Sequence, residues 1–224
     1  MGVRITVVYD NELVREDLRS GWGFSALVDR DILFDTGDDA DSLLANLDAL
    51  GVDPGDIDTV VLSHSHADHT GGLSGLLSKT ENFRILVPSR RLAESLRQSM
   101  PESIEIRVPA DATLVRPEVT TTGALGDSIR EQGLVCQTER GAYLITGCAH
   151  PGLDALLDAA RGLADIVGVI GGFHDFSRLE ALRDLDLVSP CHCTRRKREI
   201  AERFPSSCVR CGAGLVVEEG TIGR

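Results

Sequence analysis

The chain has 224 residues, 35 of them acidic against 23 Lys and Arg, for a formal net charge of −12. That length suffices for one α/β unit with a buried core. The acidic balance argues against nucleic acid as a partner, because binding a phosphate backbone is driven by Lys and Arg. No run approaches the ~20 apolar residues of a membrane span, so the expectation is a soluble, cytoplasmic protein with no membrane partner.

In chain order, short β-branched runs alternate with amphipathic stretches, the pattern of a layered α/β fold. Ile5-Thr6-Val7-Val8-Tyr9 is too short and too β-branched for a signal segment and reads as the first strand. Further strands are predicted over residues 24–28, 32–34, 59–62, 84–87, 134–137, 142–146, 166–170 and 216–218. Helices are predicted over 41–50, 73–78, 90–99, 153–163, 179–185 and 194–204. Leu43, Leu44, Leu47 and Leu50 recur at helical spacing, as do Leu153, Leu156, Leu157 and Ala160, so one face of each helix packs inward. Residues 103–127, with Pro109 and Pro117, break that rhythm into short β-prone pieces, read as a hairpin and loop over the site. Neither an internal repeat nor a low-complexity linker divides the chain, so residues 1–224 are read as a single domain.

Directly after Thr59-Val60-Val61-Leu62 stands His64-Ser65-His66-Ala67-Asp68-His69, followed by Thr70-Gly71-Gly72-Leu73. Three of the chain's six histidines and a carboxylate thus meet at the C-terminal end of a predicted strand. Imidazole nitrogen and carboxylate oxygen suit Zn, Mn or Fe, and four such groups this close can serve two adjacent ions. A solvated polar loop would need no such concentration of ligand types. Residues two apart on an extended segment point the same way, so His64 and His66 can face one ion. Asp68 and His69, past the strand end, must turn in a loop to meet another. His150 follows a second strand end, where Gly147-Cys148 breaks the run ending at Thr146.

The HxHxDH string and its flanks resemble the metallo-β-lactamase superfamily of metal-dependent hydrolases. Leu33-Phe34-Asp35-Thr36-Gly37, Gly147-Cys148-Ala149-His150, Gly171-Gly172-Phe173-His174 and Pro190-Cys191-His192-Cys193-Thr194 follow the same pattern in order. Together they are similar to a branch of 7,8-dihydropterin-6-methyl-4-(β-D-ribofuranosyl)aminobenzene-5'-phosphate synthase-like proteins. The resemblance implies a four-layer αββα sandwich. It implies His64, His66 and His150 as ligands of a first metal, and Asp68, His69 and His192 as ligands of a second. The implied cofactor is Zn, as one or two ions, with Mn or Fe as alternatives. Asp35 is implied as a buried carboxylate under the ligand loop, where it would take the second N–H of a metal-bound imidazole.

The chain departs from the family pattern where many dinuclear members carry a bridging Asp, because the corresponding strand here leads into His174-Asp175. A neutral imidazole offers one in-plane lone pair, so His174 cannot join two ions as a carboxylate does. Three readings follow. His174 faces the cavity as a substrate-binding group or proton donor, suited by an ordinary imidazole pKa near ~6.5; it is a terminal ligand; or Asp175 supplies the bridge through a local turn.

Six cysteines with no secretory segment read as thiols in a reducing setting rather than as a disulfide framework. Cys136 and Cys148 read as core thiols, the latter within approach of the first metal. Cys191-x-Cys193 and Cys208-x-x-Cys211 admit a separate structural zinc, since both cysteines flanking an extended His192 point away from it. Buried free thiols are the commoner outcome. Arg195-Arg196-Lys197-Arg198 reads as a solvated helical turn, or else as a rim attracting an anionic substrate.

The expected function is metal-dependent hydrolysis of a small ester, amide or phosphoester, in which a metal-bound hydroxide attacks a carbonyl or phosphoryl centre. Asp68 and His174 are the candidate catalytic residues. The first orients the nucleophile, and the second stabilises developing charge or protonates the leaving group. The alternatives are a pterin-pathway ribofuranosylaminobenzene-phosphate synthase, against which the lack of a Walker-type phosphate loop weighs, iron-dependent oxygen chemistry, and a metal-stabilised binding protein without turnover.

Overall fold

The computed structural model describes residues 2–218 and the backbone of 221–223. Fourteen short strands form among these residues: β1 (Ile5–Tyr9), β2 (Ser25–Val28), β3 (Ile32–Phe34), β4 (Thr59–Val61), β5 (Arg84–Leu86), β6 (Glu105–Arg107), β7 (Leu114–Arg116), β8 (Val119–Thr121), β9 (Leu134–Thr138), β10 (Gly141–Thr146), β11 (Ile166–Gly172), β12 (Leu187–Cys191), β13 (Val216–Glu218) and β14 (Thr221–Gly223). One sheet has the order β14-β13-β1-β2-β3-β4-β5-β6 and the other β12-β11-β10-β9-β8-β7. Six α-helices accompany them: α1 (Ala40–Ala49), α2 (Ala67–Thr70), α3 (Leu73–Leu77), α4 (Arg90–Arg97), α5 (Leu153–Arg161) and α6 (Lys197–Arg203).

Side-chain alternation along the strands sorts the apolar residues into three layers of core. Phe34 and Val61 of the first sheet meet Leu134, Ile145 and Ile170 of the second in the central layer. Their chain neighbours Leu33 and Val60 point the other way, onto Leu43, Leu47, Leu76 and Leu92 of α1, α3 and α4. Leu144, Val169 and Val188 likewise face Leu153, Leu156, Leu157 and Ile200 of α5 and α6. The result is an αββα sandwich. Among the described residues no helix is long and apolar enough to cross a membrane.

Several elements differ from the sequence reading. The segment after β4 coils into α2 instead of an open loop. Residues 179–185 make only the 3-10 turn Leu179–Leu182, and the helix predicted from 194 begins at Lys197. Arg196 and Arg198 of the basic run pair with Glu199 and Glu202, and Lys197 with Glu12, so three of its four charges are locally compensated. Strand β12 is not predicted because Pro190 lies in it; it sits at the sheet's edge, where a missing N–H breaks no ladder bond.

Strands β3 to β6 are parallel, as are β10 to β12. β1 pairs antiparallel with β2 and β2 with β3, so β1 shares the direction of β3. The loops that leave β1, β3, β4, β10, β11 and β12 carry Asn11, Asp35, His64, His150, His174 and His192 respectively. They converge at one end of the sandwich, outside the carboxyl ends of the strands.

Candidate metal centre

The ligand atoms of His64, His66 and His150 all lie within 4.8 Å of one another, with His64 Nε2 and His66 Nδ1 3.1 Å apart. A tetrahedral ion with bonds of ~2.0–2.1 Å spaces its nitrogens about 3.3 Å apart. Asp68, His69 and His192 form a second group of the same kind, in which Asp68 Oδ2 is 3.2 Å from His192 Nε2 and 3.9 Å from His69 Nε2. The rings of His64 and His69 are 4.2 Å apart, so the two groups adjoin. His66 is exposed while His64 and His69 are buried, and the cluster therefore opens to solvent on the His66 side.

Four of the imidazoles have their outward nitrogen held by a neighbour. His69 Nδ1 lies 2.7 Å from Asp35 Oδ2 and His150 Nδ1 2.8 Å from Glu131 Oε2. His192 Nδ1 lies 2.9 Å from Asn11 Oδ1, and His64 Nδ1 2.8 Å from Ser63 Oγ. The Ser63 hydroxyl gives its own proton to Asp35 Oδ2, so its lone pair is free to accept from His64. An acceptor at Nδ1 fixes the tautomer and leaves Nε2 unprotonated toward the centre. His192 Nε2 is buried and makes no hydrogen bond, although Asp68 Oδ2 lies 3.2 Å away, as expected of two ligand atoms turned toward a common point.

Burial pushes the His64 and His69 imidazoles down to about 3, so both are neutral and ready to ligate. Burial also lifts Asp35 to about 7 against the hydrogen bonds from Ser63. Burial would lift Glu131 as well, but the hydrogen bonds from His150 and Ala149 outweigh it and hold the carboxyl at about 2. At Asp68 the neighbouring His192 and His69 imidazoles overcome burial and keep the carboxyl well below its usual range.

Residues 24–185 match the metallo-beta-lactamase superfamily. The chain belongs to that superfamily. It is 28% identical to the 7,8-dihydropterin-6-methyl-4-(beta-D-ribofuranosyl)-aminobenzene-5'-phosphate synthase of Methanocaldococcus jannaschii, over 84% of each chain. The crystal structure of Tm1679, a metal-dependent hydrolase of the beta-lactamase superfamily, superposes with a TM-score of 0.77 at 29% identity, covering 96% of this chain and 98% of that one. The metallo-beta-lactamase fold protein YhfI from Bacillus subtilis shares the fold, with a TM-score of 0.72 at 15% identity over 97% of this chain and all of its own.

Where this metallo-beta-lactamase member departs from the expected bridge, the structure narrows the choices. His174 lies at the rim, its ring 5.3 Å from that of His150 and its side chain 40% exposed. Asp175 points to solvent and joins none of the ligand groups among the described residues, so the turn formed at His174-Asp175 does not bring it in as a bridge. Gly72 and Gly172 serve backbone-to-backbone packing: a Cβ would come within 2.2 Å of Thr36 O at the first and 2.3 Å of Gly147 O at the second.

The cysteines also differ from expectation. Cys191 and Cys211 are joined in a disulfide, which corrects the reading of all six as thiols and removes the support that reading lent to a reducing compartment. Cys208 is free and half-buried, so the separate four-cysteine zinc is not formed. His192 has a φ of 44° rather than an extended backbone. Cys193 therefore does not point away from it; its Sγ lies in one group with Cys148 Sγ and a His192 nitrogen. Cys148 is buried as predicted, but against the histidines, with Sγ 3.2 Å from His69 Nε2.

Sequence reasoning missed Glu131, Asn11 and Asp10. Asp10 Oδ1 accepts from His192 N at 2.7 Å, which holds the turned backbone. All three are ordinary polar residues outside any motif, and only their complete or partial burial marks them.

Proposed function

We propose that this metallo-beta-lactamase member is a metal-dependent hydrolase with a dinuclear zinc centre, acting on a small anionic ester, amide or phosphoester. His64, His66 and His150 hold one ion, and Asp68, His69 and His192 hold the other. The observation that carries this reading is the convergence of imidazole nitrogens whose opposite sides are already hydrogen-bonded, together with the buried Nε2 of His192, which faces Asp68 Oδ2 at 3.2 Å without a hydrogen bond. Divalent ions bound there supply a water activated near neutral pH and Lewis acidity toward a carbonyl or phosphoryl oxygen.

The chain's own residues do the rest. Asp68, ionised beside two imidazoles, accepts a hydrogen bond from the attacking water and orients it. His174, at the rim, donates a proton to the leaving-group oxygen. A groove of about 530 Å³ reaches Ser65, between His64 and His66, and is lined also by Arg91, Arg130 and Asp127. Two guanidiniums against one carboxylate favour an anion there.

Elemental mass spectrometry on chain purified without chelator tests the centre, and ester and phosphodiester assays test the reaction. About two Zn per chain with hydrolysis abolished in His64→Ala is expected. A His64→Ala variant that keeps full metal and full activity would overturn the site assignment. The 28% identity to a named synthase supports a second reading, group transfer between a phosphorylated donor and an arylamine acceptor. Two bound ions, no hydrolysis and product from such a pair would put it first, and one iron per chain would favour oxygen chemistry.

A further inference from the structure

The six residues assigned above fall into two sets of three, and no group belongs to both. Cys148 Sγ stands between them. It shares one ligand group with His64 and His69 and another with His192 and Cys193, every ligand atom within 4.8 Å of the others in its group. Metal–sulfur bonds of ~2.3 Å and metal–nitrogen bonds of ~2.0–2.1 Å place two ligands of one tetrahedral ion about 3.6 Å apart. The 3.2 Å between Cys148 Sγ and His69 Nε2 is close to that spacing.

The loop is built to hold this thiol inward. The buried Glu131 carboxylate accepts from the backbone N–H of Cys148 and Ala149 at 2.8 Å each and from that of His150 at 2.9 Å. Ala149 takes a left-handed φ of 59°, which a residue with a Cβ adopts only under such constraint. Apart from Cys193, which reaches only the His192 side, no other described side chain of these loops enters the place. His174 is at the rim and Asp175 faces solvent. A Cβ on Gly172 would lie 2.7 Å from Cys193 Sγ and 3.2 Å from Cys148 Cα, so the neighbouring strand end cannot put a side chain there. His192 Nε2 is buried and makes no hydrogen bond, although Asp68 Oδ2 lies 3.2 Å away, and a nitrogen of that ring falls in one group with Cys148 Sγ.

We propose that Cys148 is a metal ligand shared by the two half-sites, its thiolate sulfur joining both ions where an imidazole, with one lone pair, cannot. Binding breaks the S–H bond, forms metal–sulfur bonds and releases the proton to solvent. Cys193, the more exposed thiol, packs beside Cys148 and is not a ligand. The proposal rests on the metal-centre reading above, and its test separates the two.

The full chain is titrated with Co(II), followed by elemental analysis and by near-ultraviolet absorption, where sulfur-to-cobalt charge transfer appears. The expected result is about two ions per chain with a charge-transfer band in the unaltered protein. Cys148→Ser and Cys148→Ala lose the band and bind the second ion more than ~100-fold more weakly, beyond the usual cost of losing an outer hydrogen-bond partner. Cys193→Ser keeps both. Two ions without the band in the unaltered protein would overturn the cysteine assignment and leave the histidine–aspartate centre standing, as would a band lost only in Cys193→Ser. A chain that takes up no Co(II) would overturn both. Because the unaltered protein and Cys193→Ser together decide which sulfur gives the band, a Cys148 variant that fails to fold does not blunt the test.

Discussion

Replacing Glu131 by Gln probes the loop that carries both Cys148 and His150. Glu131 is fully buried and accepts four hydrogen bonds, three from backbone N–H groups and one from His150 Nδ1. A Gln that keeps its oxygen toward Cys148 N and Ala149 N turns an NH2 toward His150, facing two donors with a donor. Hydrogen bonds to a charged acceptor contribute ~1.5–3 kcal/mol each. Losing two of them and leaving buried donors unpaired is expected to cost about 3 kcal/mol after relaxation, or a fall of about 6–12 °C in thermal midpoint for a chain of this size. The second consequence is chemical. His150 escapes the clash by moving its proton to Nε2, the nitrogen that faces the centre, so metal affinity should fall ~10–100-fold. Chelator-competition titration followed by elemental analysis reads this, with the fluorescence of Trp22, the chain's single tryptophan, whose ring lies 5.0 Å from that of His192, reporting the other half-site alongside. A Glu131→Gln protein with unchanged metal affinity would refute the claim that Glu131 sets the His150 tautomer, and one with unchanged stability would refute the account of the loop.

His174→Ala should keep full metal content and lower kcat by about 10²–10⁴; undiminished turnover would remove His174 from the reaction. Breaking the Cys191–Cys211 disulfide, which closes a loop at a sequence separation of 20, should cost about 3 kcal/mol, seen as a lower denaturation midpoint of Cys211→Ala; an unchanged midpoint would show that the crosslink contributes nothing. For chelated protein the pH dependence follows from three buried groups. His64 and His69, at about 3, bind fewer protons folded than unfolded below pH ~6.5, so they destabilise the fold as pH falls. Asp35, at about 7, binds one more proton folded than unfolded and offsets one of the two. The net is a loss of stability as pH falls from ~6 to ~4, steeper below that as Glu131 protonates in the unfolded chain. Denaturation curves showing greater stability at pH 4 than at pH 6 would contradict this ordering.

The layered α/β plan was legible because its signals are local, whereas the four-layer sandwich came with the family resemblance. Val60 and Val61, or Leu33 and Phe34, are apolar on both faces, as strands between two layers must be. Leu153, Leu156, Leu157 and Ala160 mark one helix face. The elements that escaped prediction are those in which local chemistry and tertiary context disagree. Pro190 speaks against a strand, and only its edge position makes β12 acceptable. Strands β6, β7 and β8 fall in the stretch read only as short β-prone pieces and a hairpin, and β7 and β8 do pair antiparallel there; their bounds escaped because Glu105, Arg107, Arg116, Thr120 and Thr121 interrupt any apolar run.

The same division runs through the site. Histidines are rare enough that three within six residues announce themselves, and strand ends deliver them. Glu131 and Asn11, which hold His150 and His192, come from other loops and carry no local signal at all. Their work shows instead in the backbone. Asp35, Ala149, His174 and His192 all take left-handed φ values without being glycine, at ~1–3 kcal/mol each, and all lie in loops that leave the strand ends around the cluster. For Asp35 three hydrogen bonds from Ser63 and His69 hold the strained turn, for Ala149 the bond to Glu131, and for His192 the bonds to Asp10 and Asn11. Removing such an acceptor therefore acts twice, releasing the turn and freeing the imidazole. That is why the outer residues, invisible in the motif, should affect metal affinity and folding together, while His174 at the rim should affect turnover alone.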